Sequence, residues 1–128
     1  MKTLVKGITG LLALACACGA PPEEIPASVK EAREGVLLLC GAVENYVILN
    51  GGEYPPNLEV LVMTDQNRDA FLSRRRSLID PWGRDYIYER PRPGVRGYRI
   101  ITYGRDGVAG GEGADSDLDN WMIADGVR

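Results

Sequence analysis

Between Tyr103 and Trp121 the chain reads Tyr-Gly-Arg-Asp-Gly-Val-Ala-Gly-Gly-Glu-Gly-Ala-Asp-Ser-Asp-Leu-Asp-Asn-Trp, and the side chains able to do chemistry there are carboxylates. Asp106, Glu112, Asp115, Asp117 and Asp119 are interleaved with four glycines, and no basic residue stands between the first and the last of them. Such a segment repels itself unless something positive joins it. A hard cation such as Ca²⁺ takes roughly six to eight oxygen ligands, and glycines let a backbone turn tightly enough to offer them. The competing reading is a solvated acidic tail. Apolar residues bracket the segment, Ile100, Ile101 and Tyr103 before it and Leu118, Trp121, Met122 and Ile123 after it, so both ends can anchor in a core and a folded loop is expected. An EF-hand does not fit. Asp115, Asp117 and Asp119 would fill its first three ligand positions, but Asn120 stands where its glycine belongs and Gly126 where its bidentate glutamate belongs.

The rest of the composition excludes more than it offers. A chain of 128 residues, 45% hydrophobic and 26% charged, has room for one small domain. It contains no histidine, which removes histidine-based triads, imidazole acid–base catalysis and the usual zinc sites. The best catalytic constellation left is Asp80, Asp85 and the acidic loop. Asp80 suits a turn and the loop suits a metal, so no acid–base pair remains and an enzyme is not expected.

Lys2 and Lys6 precede an apolar run from Ile8 to Ala17 that has the charge, length and small-residue ending of a secretory signal, and it is too short to span a bilayer. Ala13-Leu14-Ala15-Cys16 resembles a bacterial lipoprotein signal, with Ala13 where leucine is usual, so lipid at Cys16 is expected; plain cleavage near Ala15 or Ala17 is the alternative. Residues 1–18 are thus read as the leader, 19–27 as a linker and 28–128 as the globular part. Removing the leader takes the formal charge from −3 to about −5, an acidic balance that gives no reason to seek nucleic acid. Contact with a membrane is then expected only through the lipid or an uncleaved leader. Beyond the leader Cys40 is the one thiol, in an apolar run, and is expected to pack as a small buried side chain.

The elements that must position the loop follow from periodicity. Ser28 to Glu31 reads as a capping box that opens a helix closing at Asn50-Gly51-Gly52. Val29, Ala32, Val36, Leu39, Val43, Tyr46 and Leu49 recur along it at three- and four-residue steps; the extra apolar positions Leu37, Leu38 and Val47 suit either a partner surface or a deeply buried helix. Asn57 is a candidate cap for a short helix through Leu58 to Val62, and Thr64 to Ser77 reads as a polar surface loop with a helical turn near Phe71. Asp80-Pro81-Trp82-Gly83 predicts a type I turn, with Trp82 covering the core between helix and sheet. Tyr86 to Glu89 and Tyr98 to Tyr103 predict a hairpin across a prolyl and glycyl loop, and a third strand is expected around Trp121 to Ile123. One helix across a small antiparallel sheet is an α+β fold.

Read together in this order, Tyr54-Pro55, Asp80-Pro81-Trp82-Gly83-Arg84-Asp85-Tyr86-Ile87-Tyr88, Gly104-Arg105-Asp106-Gly107, Gly110-Gly111-Glu112-Gly113, Asp115-Ser116-Asp117-Leu118 and Asn120-Trp121 resemble the major pseudopilin of bacterial type II secretion systems. The resemblance implies a pilin-like head with a C-terminal calcium loop and secretion-system or other envelope proteins as partners, at an exported, periplasmic or cell-envelope location. It implies a Ca²⁺ site built from Asp106, Asp115 and Asp117 with the carbonyls of Tyr103 and Val108; Glu112 ranks below them, and Asp119, without a counterpart, is expected to face solvent. The N-terminus departs from the family. The glutamate at the fifth position after the cleaved glycine corresponds to Leu12, and Gly19, Pro21 and Pro22 interrupt the apolar stalk. A free-standing exported calcium-binding module that uses the same head is therefore the second reading.

Overall fold

The computed structural model describes residues 24–62 and 71–127. The leader, Cys16 and the start of the linker lie outside these residues. Among the described residues, no helix is long and apolar enough to cross a membrane.

Helix α1 spans Ala27–Leu49 and ends as its sequence predicts. Asn50 N–H donates to the Tyr46 carbonyl, Gly51 takes φ 66°, and Gly52 N–H reaches back to the Val47 carbonyl at 2.9 Å. That six-residue bond is a Schellman closure, which needs a residue free of Cβ strain at Gly51. The start differs from expectation. Pro26 occupies the cap position, no side chain caps the helix, and the Pro26 carbonyl accepts from Val29 and Lys30. The fixed φ of proline already sets the entry angle, and Ser28 sits inside the first turn, too late to cap it.

Ala32, Val36, Leu39, Ala42 and Val43 are the buried face of α1. Val36, Leu39, Ala42 and Val43 pack with Leu58, Leu61, Val62, Leu72, Leu78, Tyr86 and Ile100 into one core. Cys40 is a half-buried free thiol against this core, and burial pushes its pKa up. Leu37 and Leu38 are not explained by burial, since each is about half exposed, and Leu49, assigned above to the buried stripe, is 72% exposed. The covering layer is narrow enough that only one stripe of the helix meets it.

The sheet is three-stranded and antiparallel, in the order β1 (Ile87–Glu89), β2 (Arg99–Thr102), β3 (Leu118–Asp119). Ile87 pairs with Ile101 and Tyr88 with Ile100, while Thr102 pairs with Leu118. The third strand lies earlier than predicted. Trp121 to Ile123 instead belong to a short helix α2, Asn120–Ala124, because the Asp119 side chain accepts from Met122 N–H at 2.8 Å and caps it. A three-residue apolar run suits either element, and the cap decides.

Between α1 and the sheet, the described residues include 3₁₀ turns at Glu59–Leu61 and Arg75–Leu78. Asn57 Oδ1 accepts from Val60 N–H at the entry to the first of them, whose cap position is Leu58. Most of the predicted loop from Thr64, and the helical turn expected near Phe71, lie outside the described residues; within them a 3₁₀ turn forms at Arg75–Leu78, and Leu72, assigned to a surface loop, is buried in a bridge with Val62.

Trp82 does not cover the core; it is partly exposed and lies outside the core cluster. Tyr86 takes that place, with its hydroxyl donating to the Ala32 carbonyl at 3.2 Å. Gly35 is what admits the ring, since a Cβ there would collide with the Tyr86 hydroxyl. Gly35→Ala is expected to destabilise by about 1–3 kcal/mol despite the better helix propensity of alanine. Thermal unfolding checks this.

Candidate functional site

The loop between β2 and β3 is folded back on itself. Arg105 N–H donates to the Ala114 carbonyl at 2.8 Å, and a 3₁₀ turn at Gly113–Asp115 brings the return arm alongside. At Gly104, φ 73°, an added Cβ would lie within 3 Å of the backbone of residues 114 to 116. Only glycine permits the two arms to touch there.

A brace from the Asp80 turn holds the outgoing arm. Gly83 N–H closes the turn on the Asp80 carbonyl at 3.1 Å. The buried Asp80 carboxylate accepts from Trp82 N–H, from Arg84 N–H and from the Thr102 hydroxyl at 2.8 Å, which ties the turn to β2. Arg84 then donates to the carbonyls of Gly104 and Arg105, and its guanidinium lies against Gly107, where a side chain would displace it.

Two of the predicted metal ligands bond to the backbone of the loop. Asp106 Oδ1 accepts from Val108 N–H at 3.0 Å, and both oxygens of Asp117 accept from Gly110 N–H at 3.0 Å. The two carboxylates accept from backbone amides two residues apart, Val108 and Gly110. The donors gathered there are oxygens, the set a hard cation prefers, and Tyr103, half-buried at the end of β2, leads into them.

The third aspartate is engaged elsewhere. Arg105 grips Asp115 with two parallel bonds, Nε to Oδ1 and Nη2 to Oδ2, each 2.9 Å. Those hydrogen bonds, followed by the charge of the guanidinium, hold the Asp115 carboxyl below the usual carboxylate range. Among the described residues no group of three or more Asp, Glu, His or Cys side chains is placed to hold a metal ion. The oxygens of Asp106 and Asp117 are of the type a hard cation prefers, while Asp115 is held by Arg105 and does not join them. Glu112 is exposed, and its backbone carbonyl accepts from Asp115 N–H.

Asp119 is the clearest reversal of expectation, because it is buried, at 2% exposure. Its Oδ2 accepts from Arg99 Nε at 2.9 Å while Oδ1 caps α2, and the Arg99 guanidinium lies 5.1 Å from the centre of the Trp121 ring. It builds the far wall of the loop. Sequence reasoning also missed Arg84 and Arg105; the basic residue immediately before Asp106 was the available signal.

Helix, three-stranded antiparallel sheet and glycine-rich acidic loop define a pilin-like head. The family described as type II secretion system (T2SS), protein G, matches residues 23–121. The chain is 35% identical over 108 residues to the type II secretion system core protein G of Vibrio cholerae, covering 77% of this chain and 72% of that one. It is 31% identical over 107 residues to the protein of the same description from Pseudomonas aeruginosa, covering 74% of this chain and 72% of that one. Its match to the Xanthomonas campestris core protein G is 32% over 90 residues, 68% of this chain and 62% of that one. The chain belongs to the type II secretion system protein G family.

Proposed function

We propose that this chain is a structural subunit of a type II secretion system, an exported pilin-like head whose acidic loop is fixed by calcium. The observation that carries the reading is the family match, which runs through helix, sheet and loop alike. Asp106, Asp115 and Asp117 with the carbonyls of Tyr103 and Val108 would hold the cation, a ligand set that follows from the family resemblance; Asp106 and Asp117 both bond to loop amides, of Val108 and Gly110. When bound, calcium neutralises the loop and links its two arms. Leu37, Leu38 and Ile48, exposed on α1, offer apolar surface to neighbouring subunits or other envelope proteins. Lipid at Cys16 is part of the same proposal and rests on sequence alone.

Deleting the gene in its own host and following protein export tests the role. Loss of export, restored by the wild-type gene, is expected. Unchanged export from the deletion strain, together with calcium binding by the separately purified wild-type protein, would favour the free-standing module, a reading that the Leu12 and Pro21-Pro22 departures support. The mass of the mature N-terminus separates lipid at Cys16 from plain cleavage.

A further inference from the structure

We infer that the solvent-facing stripe of α1 pairs with the same stripe of a second copy of this chain, the two helices running antiparallel about a two-fold axis. The inference rests on the reading above that this face offers apolar surface to neighbouring subunits, and it names the partner and its direction. Leu37, Leu38, Ile48 and Leu49 stand along the stripe, exposed by 50, 52, 74 and 72%. Gly41 lies between them, itself exposed, and a Cβ there would meet nothing within 4 Å. The fold of one copy therefore has no use for glycine at this place, where it costs a helix about 1 kcal/mol relative to alanine. A gap in the side chains flanked by leucines lets a second helix approach closely.

Charge fixes the direction. At about 3.6 residues per turn Lys30, Gly41 and Ile48 share one line along the helix, so a cation stands at the N-terminal end of the stripe. Glu53 stands just past the other end. Both are exposed, and neither has an ion-pair partner among the described residues. An in-register parallel pair would set Lys30 beside Lys30, Glu34 beside Glu34 and Glu44 beside Glu44. The antiparallel pair instead brings Lys30 of each copy within a lysine's reach of Glu53 on the other. It sets Leu37 opposite Leu49 and Leu38 opposite Ile48, with Gly41 facing Asn45 where the helices cross. Every contact is then made twice, as a two-fold interface requires. Only four apolar side chains a side are covered, so the pair is weak, roughly micromolar to millimolar in Kd. Because a two-fold contact closes on itself, it occupies this face to the exclusion of any staggered assembly through it.

The test is sedimentation equilibrium of the purified protein over a concentration series, with circular dichroism to confirm that each variant keeps its helix. Wild type is expected to show a reversible monomer–dimer equilibrium, and Leu38→Glu to weaken it by roughly tenfold or more. Lys30→Glu and Glu53→Lys should each weaken it by roughly two- to thirtyfold, the range of two exposed ion pairs, and the double exchange should restore it. Gly41→Gln separates the interface from the helix: it should raise the melting temperature of the dilute protein and weaken the pair. A wild type that stays monomeric at every concentration overturns the inference, and so does a dimer indifferent to Leu38→Glu. Single charge exchanges that the double exchange does not rescue overturn the antiparallel arrangement. A monomeric wild type leaves the secretion role standing, since export from the deletion strain reads that role separately.

Discussion

Asp80→Ala is expected to destabilise the protein by about 3–5 kcal/mol, because one buried carboxylate satisfies three donors from two parts of the chain. Without it the Trp82 and Arg84 amides and the Thr102 hydroxyl lose their acceptor where water has little access. The turn would also lose its tie to β2, and with it the position from which Arg84 holds the Gly104 and Arg105 carbonyls. Asp80→Asn keeps the shape and one acceptor oxygen, so it should recover part of the loss. Urea unfolding of the three proteins checks this; an Asp80→Ala midpoint equal to wild type would rule out the brace.

Asp119→Ala should cost about 2–4 kcal/mol, the second largest effect. Two contributions add: the lost cap on α2, about 1 kcal/mol, and an Arg99 guanidinium left against Trp121 without its carboxylate. The value lies below that of a fully buried pair because the Arg99 side chain is about a third exposed. Arg99→Ala together with Asp119→Ala should cost less than the sum of the single changes, which a double-mutant cycle measures. Additive losses would show that the two side chains do not act as a pair.

These two aspartates also show where sequence was legible. Asp80 was readable because Asp-Pro-Trp-Gly is local turn chemistry, and the turn formed as predicted. Its bond to Thr102, 22 positions away, carries no local signal. Asp119 looked like one more loop carboxylate, and nothing in its neighbours announced that Arg99 would lie opposite across two strands. The helix was legible because apolar spacing at three and four residues is a property of the segment itself, and Gly51-Gly52 marked its end. Leu37 and Leu38 carried the same hydrophobic signal as Leu39, yet only Leu39 is enclosed, because which side chains are covered depends on how many elements pack around α1. Trp82 and Tyr86 exchanged places for a similar reason: size favoured tryptophan, but Gly35 opens α1 opposite Tyr86. In the loop the carboxylates were visible from composition, while the capture of Asp115 by Arg105 required the fold-back that sets residues 105 and 114 side by side.

The most direct test of the calcium-fixed head is the melting temperature of the purified protein in excess calcium and in chelator. A cation that binds only the folded state contributes about 2.7 kcal/mol at a hundredfold excess over Kd, which for a domain of this size raises the melting temperature by roughly 10 °C. Asp106→Ala and Asp117→Ala are expected to abolish that rise, and Asp119→Ala to melt lower while keeping most of it. Superimposable wild-type curves in calcium and in chelator would contradict the calcium-fixed loop.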